Sequence, residues 1–123
     1  MKYDQMVKAV DERAGTADKA EAERTLRVVV QALADRLIGG EADDLLAQLP
    51  EPLKSEIIVT PEADPMNPQE FVARVARDLG LAEDEARDRV RAVFGALHEA
   101  VTEGEWEEVV GQLDKTYAPL ISA

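Results

Sequence analysis

Glu21–Pro50, EAERTLRVVVQALADRLIGGEADDLLAQLP, lies over Glu85–Asp114, EARDRVRAVFGALHEAVTEGEWEEVVGQLD, at a constant offset of 64 and without a gap. Of the 30 paired positions, 10 are identical: Glu21/Glu85, Ala22/Ala86, Arg27/Arg91, Val29/Val93, Ala32/Ala96, Leu33/Leu97, Gly40/Gly104, Glu41/Glu105, Gln48/Gln112 and Leu49/Leu113. Most other pairs exchange like for like, as in Leu26/Val90, Val30/Phe94, Leu37/Val101, Asp43/Glu107 and Asp44/Glu108. Upstream, Gln5–Gly15 matches Glu70–Gly80 at offset 65, which places one extra residue in the first turn near Thr16–Lys19. Ala- and Glu-rich helices match one another cheaply, so the shared glycines at both turns carry the weight. Self-similarity at a fixed offset predicts an internal duplication.

The helices follow from the repeat. Tyr3, Met6, Val7, Val10 and Ala14 form a stripe at helical spacing that stops at Gly15, a natural residue for the left-handed position after a helix. Asp18-Lys19-Ala20-Glu21 reads as a capping box opening a second helix. Its apolar face is Ala22, Leu26, Val29, Val30, Leu33, Leu37 and Ile38, and it is expected to end at Gly39-Gly40. A short third helix carries Ala42, Leu45, Leu46 and Leu49, closed by Pro50 and Pro52. The second half starts at Asn67-Pro68-Gln69-Glu70, with Asn as cap and Pro in the first turn. Phe71, Val72, Val75, Ala76 and Leu79 face inward up to Gly80; a long helix follows from about Ala82 to Thr102. After Gly104 a short helix presents Trp106, Val109, Val110 and Leu113, with Trp106 read as core. Leu53–Ile57 and Tyr117–Ile121 each add an apolar turn, and Ile58–Met66, with two prolines, is an extended connector. The expectation is an all-α fold: one domain over 1–123, of two pseudo-symmetric three-helix units. Unit 1 spans about 3–57, the connector about 58–66 and unit 2 about 67–121.

Composition narrows the function. The 123 residues carry 14 basic and 26 acidic side chains, a formal charge of −12, with 46% hydrophobic residues and no cysteine. That much apolar content is enough for a folded domain in spite of the charge. Without cysteine there is no disulfide, thiolate metal site or cysteine nucleophile. The negative field repels phosphate, so no nucleic-acid partner is expected. The N-terminus shows no signal peptide and Leu26–Ile38 is broken by charges, so no membrane partner and a cytoplasmic location are expected.

With those residues laid out, the chain resembles the bacterial domain of unknown function 2267 family. The likeness runs over essentially the whole chain: Met1-Lys2-Tyr3-Asp4, Arg-Ala-Gly at 13–15, Asp-Arg-Leu at 35–37, Gly-Gly-Glu-Ala at 39–42, Ala-Gln-Leu-Pro at 47–50 and Tyr-Ala-Pro-Leu at 117–120. These are turns, caps and packing positions. The resemblance implies an all-helical prokaryotic domain and carries no catalytic residues with it.

Chemistry-bearing residues are few. His98 is the only histidine and is read as a half-exposed structural residue. Glu41, Asp43 and Asp44, and likewise Glu103, Glu105, Glu107 and Glu108, are read as carboxylates favouring helix N-termini; they lack calcium-loop spacing. No Glu-x-x-His occurs, and neither Ser55 nor Ser122 lies in a nucleophile elbow. No catalytic residue, cofactor or metal ligand is therefore expected, which argues against an enzyme. Arg27 and Arg91 recur at equivalent places. Each either bridges the halves to a carboxylate such as Asp35 or Glu99, or frames an anion site on the pseudo-twofold axis, or is simply solvated. Two functions remain. One is a protein-interaction module that binds a basic partner or itself. The alternative is a small-molecule or anion binder with a pocket between the repeats.

Overall fold

Caps and apolar stripes divide the chain into helices, and the computed structural model describes residues 1–121 of it, leaving Ser122 and Ala123 outside. In order these are α1 (Tyr3–Ala14), α2 (Lys19–Arg36), α3 (Glu41–Ala47), α4 (Leu53–Glu56), α5 (Pro68–Leu79), α6 (Glu83–Ala100) and α7 (Glu103–Gln112). A 3₁₀ turn (Lys115–Tyr117) then runs into α8 (Ala118–Ile121). No strand occurs among the described residues, and none of their helices is long and apolar enough to cross a membrane.

Local chemistry sets most of the boundaries. Asp18 accepts a hydrogen bond from the Glu21 N–H at 2.8 Å, while the Glu21 carboxylate reaches back to the N–H of Ala17 rather than Asp18. At α5 the capping box is complete: Asn67 accepts from the Glu70 N–H at 2.8 Å and Glu70 accepts from the Asn67 N–H at 3.0 Å. Gly15 (φ 65°) and Gly80 (φ 68°) end α1 and α5 in the left-handed conformation, where a side chain would be strained.

Two expectations needed correction. The second helix stops at Arg36, before Gly39-Gly40, because Leu37 turns extended and the backbone of Ile38 bonds elsewhere. The Ile38 N–H donates to Gln112 Oε1 at 2.8 Å and its carbonyl accepts from Gln112 Nε2 at 3.1 Å, which leaves the Ile38 side chain outside the core, 56% exposed. Gly104 does not precede the short helix α7 but lies in its first turn, because Thr102 is the cap and accepts from the Glu105 N–H at 3.2 Å.

The two long helices, α2 and α6, pack on each other, and α1 and α5 each lie against both of them. The core is therefore continuous across the chain. Val29, Leu33, Val93 and Leu97 are fully buried within it, as are Met6, Val10, Phe71 and Phe94. Gly95 leaves room for a side chain of α1: a Cβ there would fall 2.6 Å from Nη1 of Arg13, whose guanidinium pairs with Glu99 on α6. The connector is tied down. The Asp64 N–H donates to the Asp35 carbonyl at 2.7 Å, and Arg36 Nε and the Tyr117 hydroxyl both donate to the Met66 carbonyl, at 3.0 and 2.5 Å. Beyond the ends of α2 and α6, α3 and α7 pack on each other.

Candidate functional site: the acidic junction of α3 and α7

Residues three apart share a helix face, so Glu41 and Asp44 point the same way from α3, as Glu105 and Glu108 do from α7. Ala42, Leu45 and Leu46 on one helix and Trp106 and Val109 on the other supply the apolar contact that holds these helices together. Two glutamines lock the arrangement. Gln48 Oε1 accepts from the Thr102 N–H at 2.9 Å, and Gln112 clamps Ile38 as described above. The equivalently spaced pairs Gln48/Gln112 and Ile38/Thr102 thus exchange bonds across the junction.

This packing forces Glu41 and Glu105 together. Each is only 7% exposed, and their side chains lie within hydrogen-bonding reach of each other. Glu41 Oε1 and Glu105 Oε2 are fully buried and accept no bond from a donor in the protein. Two carboxylates cannot both stay charged in such a place, because burial and mutual repulsion favour the neutral form. Burial first, then the Glu105 carboxyl, then the nearby charges of Glu108 and Asp44, push the Glu41 carboxyl up to about 8. A proton held between the two carboxyls supplies the missing donor. At the rim, Asp44 and Glu108 are exposed, and each can bring an oxygen within 4.8 Å of a Glu41 oxygen and of each other.

The two segments that form this junction carry charge of one sign. Residues 37–53 and 101–114 contain Glu41, Asp43, Asp44, Glu51, Glu103, Glu105, Glu107, Glu108 and Asp114 and not one Lys or Arg. Nine of the twelve excess negative charges therefore fall in these two segments. His98 stands at the edge, half-exposed, with its ring stacked on Trp106 at 5.2 Å and Nε2 2.9 Å from the Glu103 carboxylate. Trp106 is buried, as its spacing predicts.

The residues singled out from sequence lie elsewhere. Arg27 pairs loosely with Glu56 of its own half at 3.4 Å, both half-exposed. Arg91 is exposed and borders a shallow depression of about 330 Å³ with Arg13, Ala14, Asp88 and Ala92. Asp35 and Glu99 do bond across the halves, but to Arg74 (2.6 Å) and Arg13. Arg89 makes a third crossing, to Glu21 at 2.6 Å and to the buried Thr25 hydroxyl at 3.1 Å. What the sequence reading missed was the Glu41/Glu105 identity. It stood among the ten matched pairs as an ordinary helix-start carboxylate, and the two unbroken acidic segments around it were the signal that could have singled it out.

The fold and junction define a class: an all-helical protein whose distinctive polar feature is a buried carboxyl pair under an acidic surface. The sequence matches the family described as "Uncharacterized conserved protein (DUF2267)" over residues 3–120, nearly its whole length, and the chain belongs to that family. No curated protein matches it.

Proposed function

We propose that the protein is a non-catalytic interaction module that docks a basic protein partner on its α3–α7 face. One observation carries this reading: two segments brought side by side hold nine carboxyl groups, seven of them on exposed residues, and no cation. Such a surface steers a positively charged partner and repels other acidic surfaces, a second copy of itself included. Large apolar side chains exposed among the described residues are Met1, Ile38 and Ile58 only, which offers little for self-association through a greasy patch. We read the chain as a duplicated unit, supported by first helices of 12 residues each, long helices of 18 each and the exchanged glutamine clamps. In that reading the Glu41/Glu105 pair lies near the pseudo-twofold axis, and a cytoplasmic setting suits the module.

For the anion-binding alternative, the depression bordered by Arg13 and Arg91 is the place where the repeated arginine meets the other half of the chain. This alternative is the weaker reading, since Arg13 is already paired with Glu99 and Asp88 adds a negative charge to the lining. Photo-cross-linking in the cells that make the protein separates these cases, with the reactive residue placed at Asp43 or Glu107 on the acidic face, or at Glu12 on α1. Adducts with a basic protein from 43 and 107, absent from 12, support docking. Adducts with a second copy point to self-association. Equal labelling from all three positions, or none from 43 and 107, removes the docking reading.

A further inference from the structure

We propose that α3 is a proton-latched arm, which swings off α7 about the Gly39-Gly40 turn when the proton held between Glu41 and Glu105 is lost, while the other helices stay packed. The device needs no partner, so it stands apart from the docking reading.

The core helices and the arm are held by different means. Arg13–Glu99, Arg74–Asp35 and Arg89–Glu21 join α1 to α6, α5 to α2 and α6 to α2, and none of these pairs reaches α3 or α7. α7 is anchored as well. Thr102 caps it, and the Trp106 ring meets the fully buried Phe94 of α6 edge-on at 6.1 Å. By contrast, α3 has seven residues and no side-chain cap. Gly39 leads into it at φ 66°, and a Cβ at Gly39 or Gly40 would meet nothing within 4 Å, so this turn has room to move. What keeps α3 in place is its packing, with Ala42, Leu45 and Leu46 buried, the Gln48 bond to the Thr102 N–H, and the carboxyl pair.

The pair works as a latch because its two buried carboxyls lie together only while a proton joins them. The groups facing it cannot replace that proton, since Asp44 of α3 and Glu108 of α7 are both acidic. On α2, Arg36 is committed to the Met66 carbonyl and the Tyr117 ring, and Asp35 to Arg74. On α6, His98 is held by Glu103 and Trp106, and Glu99 by Arg13. With the arm open, Glu41 is an ordinary glutamate that releases its proton near 4.5; closed, it keeps the proton up to about 8. Rising pH therefore favours opening across this interval, by up to about tenfold per pH unit, and the effect levels off above it. Opening bares Leu45 and Leu46 and uncovers the α3 side of α7.

Amide hydrogen exchange of the full chain, read by NMR at about pH 5.5 and about pH 7.5 and divided by the intrinsic rate, gives the opening constant of each helix. In the parent, the constant at Leu45, Leu46 and Ala47 should rise at least about tenfold between these values, against a ceiling of about a hundredfold for one proton. It should respond weakly to low urea, with a slope under about one-third of that at Val29 and Val93, because the arm exposes little surface. Glu41→Gln keeps a donor facing Glu105 and has no proton to lose, so its rise with pH should stay below about threefold. Glu105→Gln makes the same change from the other side and serves if the first variant does not fold. A core-like urea slope in α3 would show that it leaves only when the whole chain unfolds, and would overturn the proposal. So would a pH response that is absent in the parent, or one that persists undiminished in either variant.

Discussion

Replacing Glu41 with Gln should change how stability depends on pH, and the sign follows from the buried pair. An ordinary glutamate releases its proton near 4.5 and the Glu41 carboxyl does so near 8, so across that interval the folded chain holds a proton that the unfolded chain has lost. Stability is fully present below the lower value and falls as pH rises towards the upper one, by at most about 1.4 kcal/mol per pH unit for a single proton. The amide of Glu41→Gln keeps a donor facing Glu105 and carries no charge to bury. The difference between variant and parent therefore reports what the Glu41 proton contributes. Urea denaturation at about pH 5, 6.5, 8 and 9 measures it. The variant should gain on the parent by more than about 1.4 kcal/mol between the lowest and highest of these, the worth of one pKa unit. A difference that stays flat with pH would refute the shared-proton reasoning.

Leu97→Ala, at a fully buried position, should lower stability by about 2–5 kcal/mol in chemical denaturation through lost transfer energy and a cavity. Arg89→Ala strips the partner from Glu21 and the buried Thr25 hydroxyl and should cost about 1.5–3 kcal/mol, measured the same way. Arg27→Ala, which breaks only a half-exposed pair, should stay within about 0.5 kcal/mol of the parent. Duplex DNA should not bind more tightly than about 1 μM at physiological salt in an anisotropy titration; tight, salt-sensitive binding would show the charge argument to be wrong.

The helices were legible because the apolar spacing is local information. Val29, Leu33, Val93 and Leu97 come out at zero exposure, and Gly15 and Gly80 take the left-handed angles their places demand. The end of α2 was not legible, since the chain leaves the helix to meet Gln112, 74 residues away. The ion pairs show the same limit. Asp35 and Glu99 could be named as carboxylates that bond across the halves, but Arg74 and Arg13 become their counterparts only through the packing of α5 on α2 and of α1 on α6. The candidate site was hidden for a related reason. Glu41 and Glu105 each look like an exposed helix-start carboxylate within its own segment, and only the packing of α3 on α7 buries one against the other.

That buried pair lies beneath the proposed docking face, and carbon-13 NMR titration of the glutamate side-chain carboxyls observes it directly. With the protein folded, the Glu41 carboxyl should titrate near pH 8. If the Glu41 and Glu105 carboxyls both finish titrating below about pH 5, as unperturbed glutamates do, the two side chains do not share a buried proton and the account of the junction is contradicted.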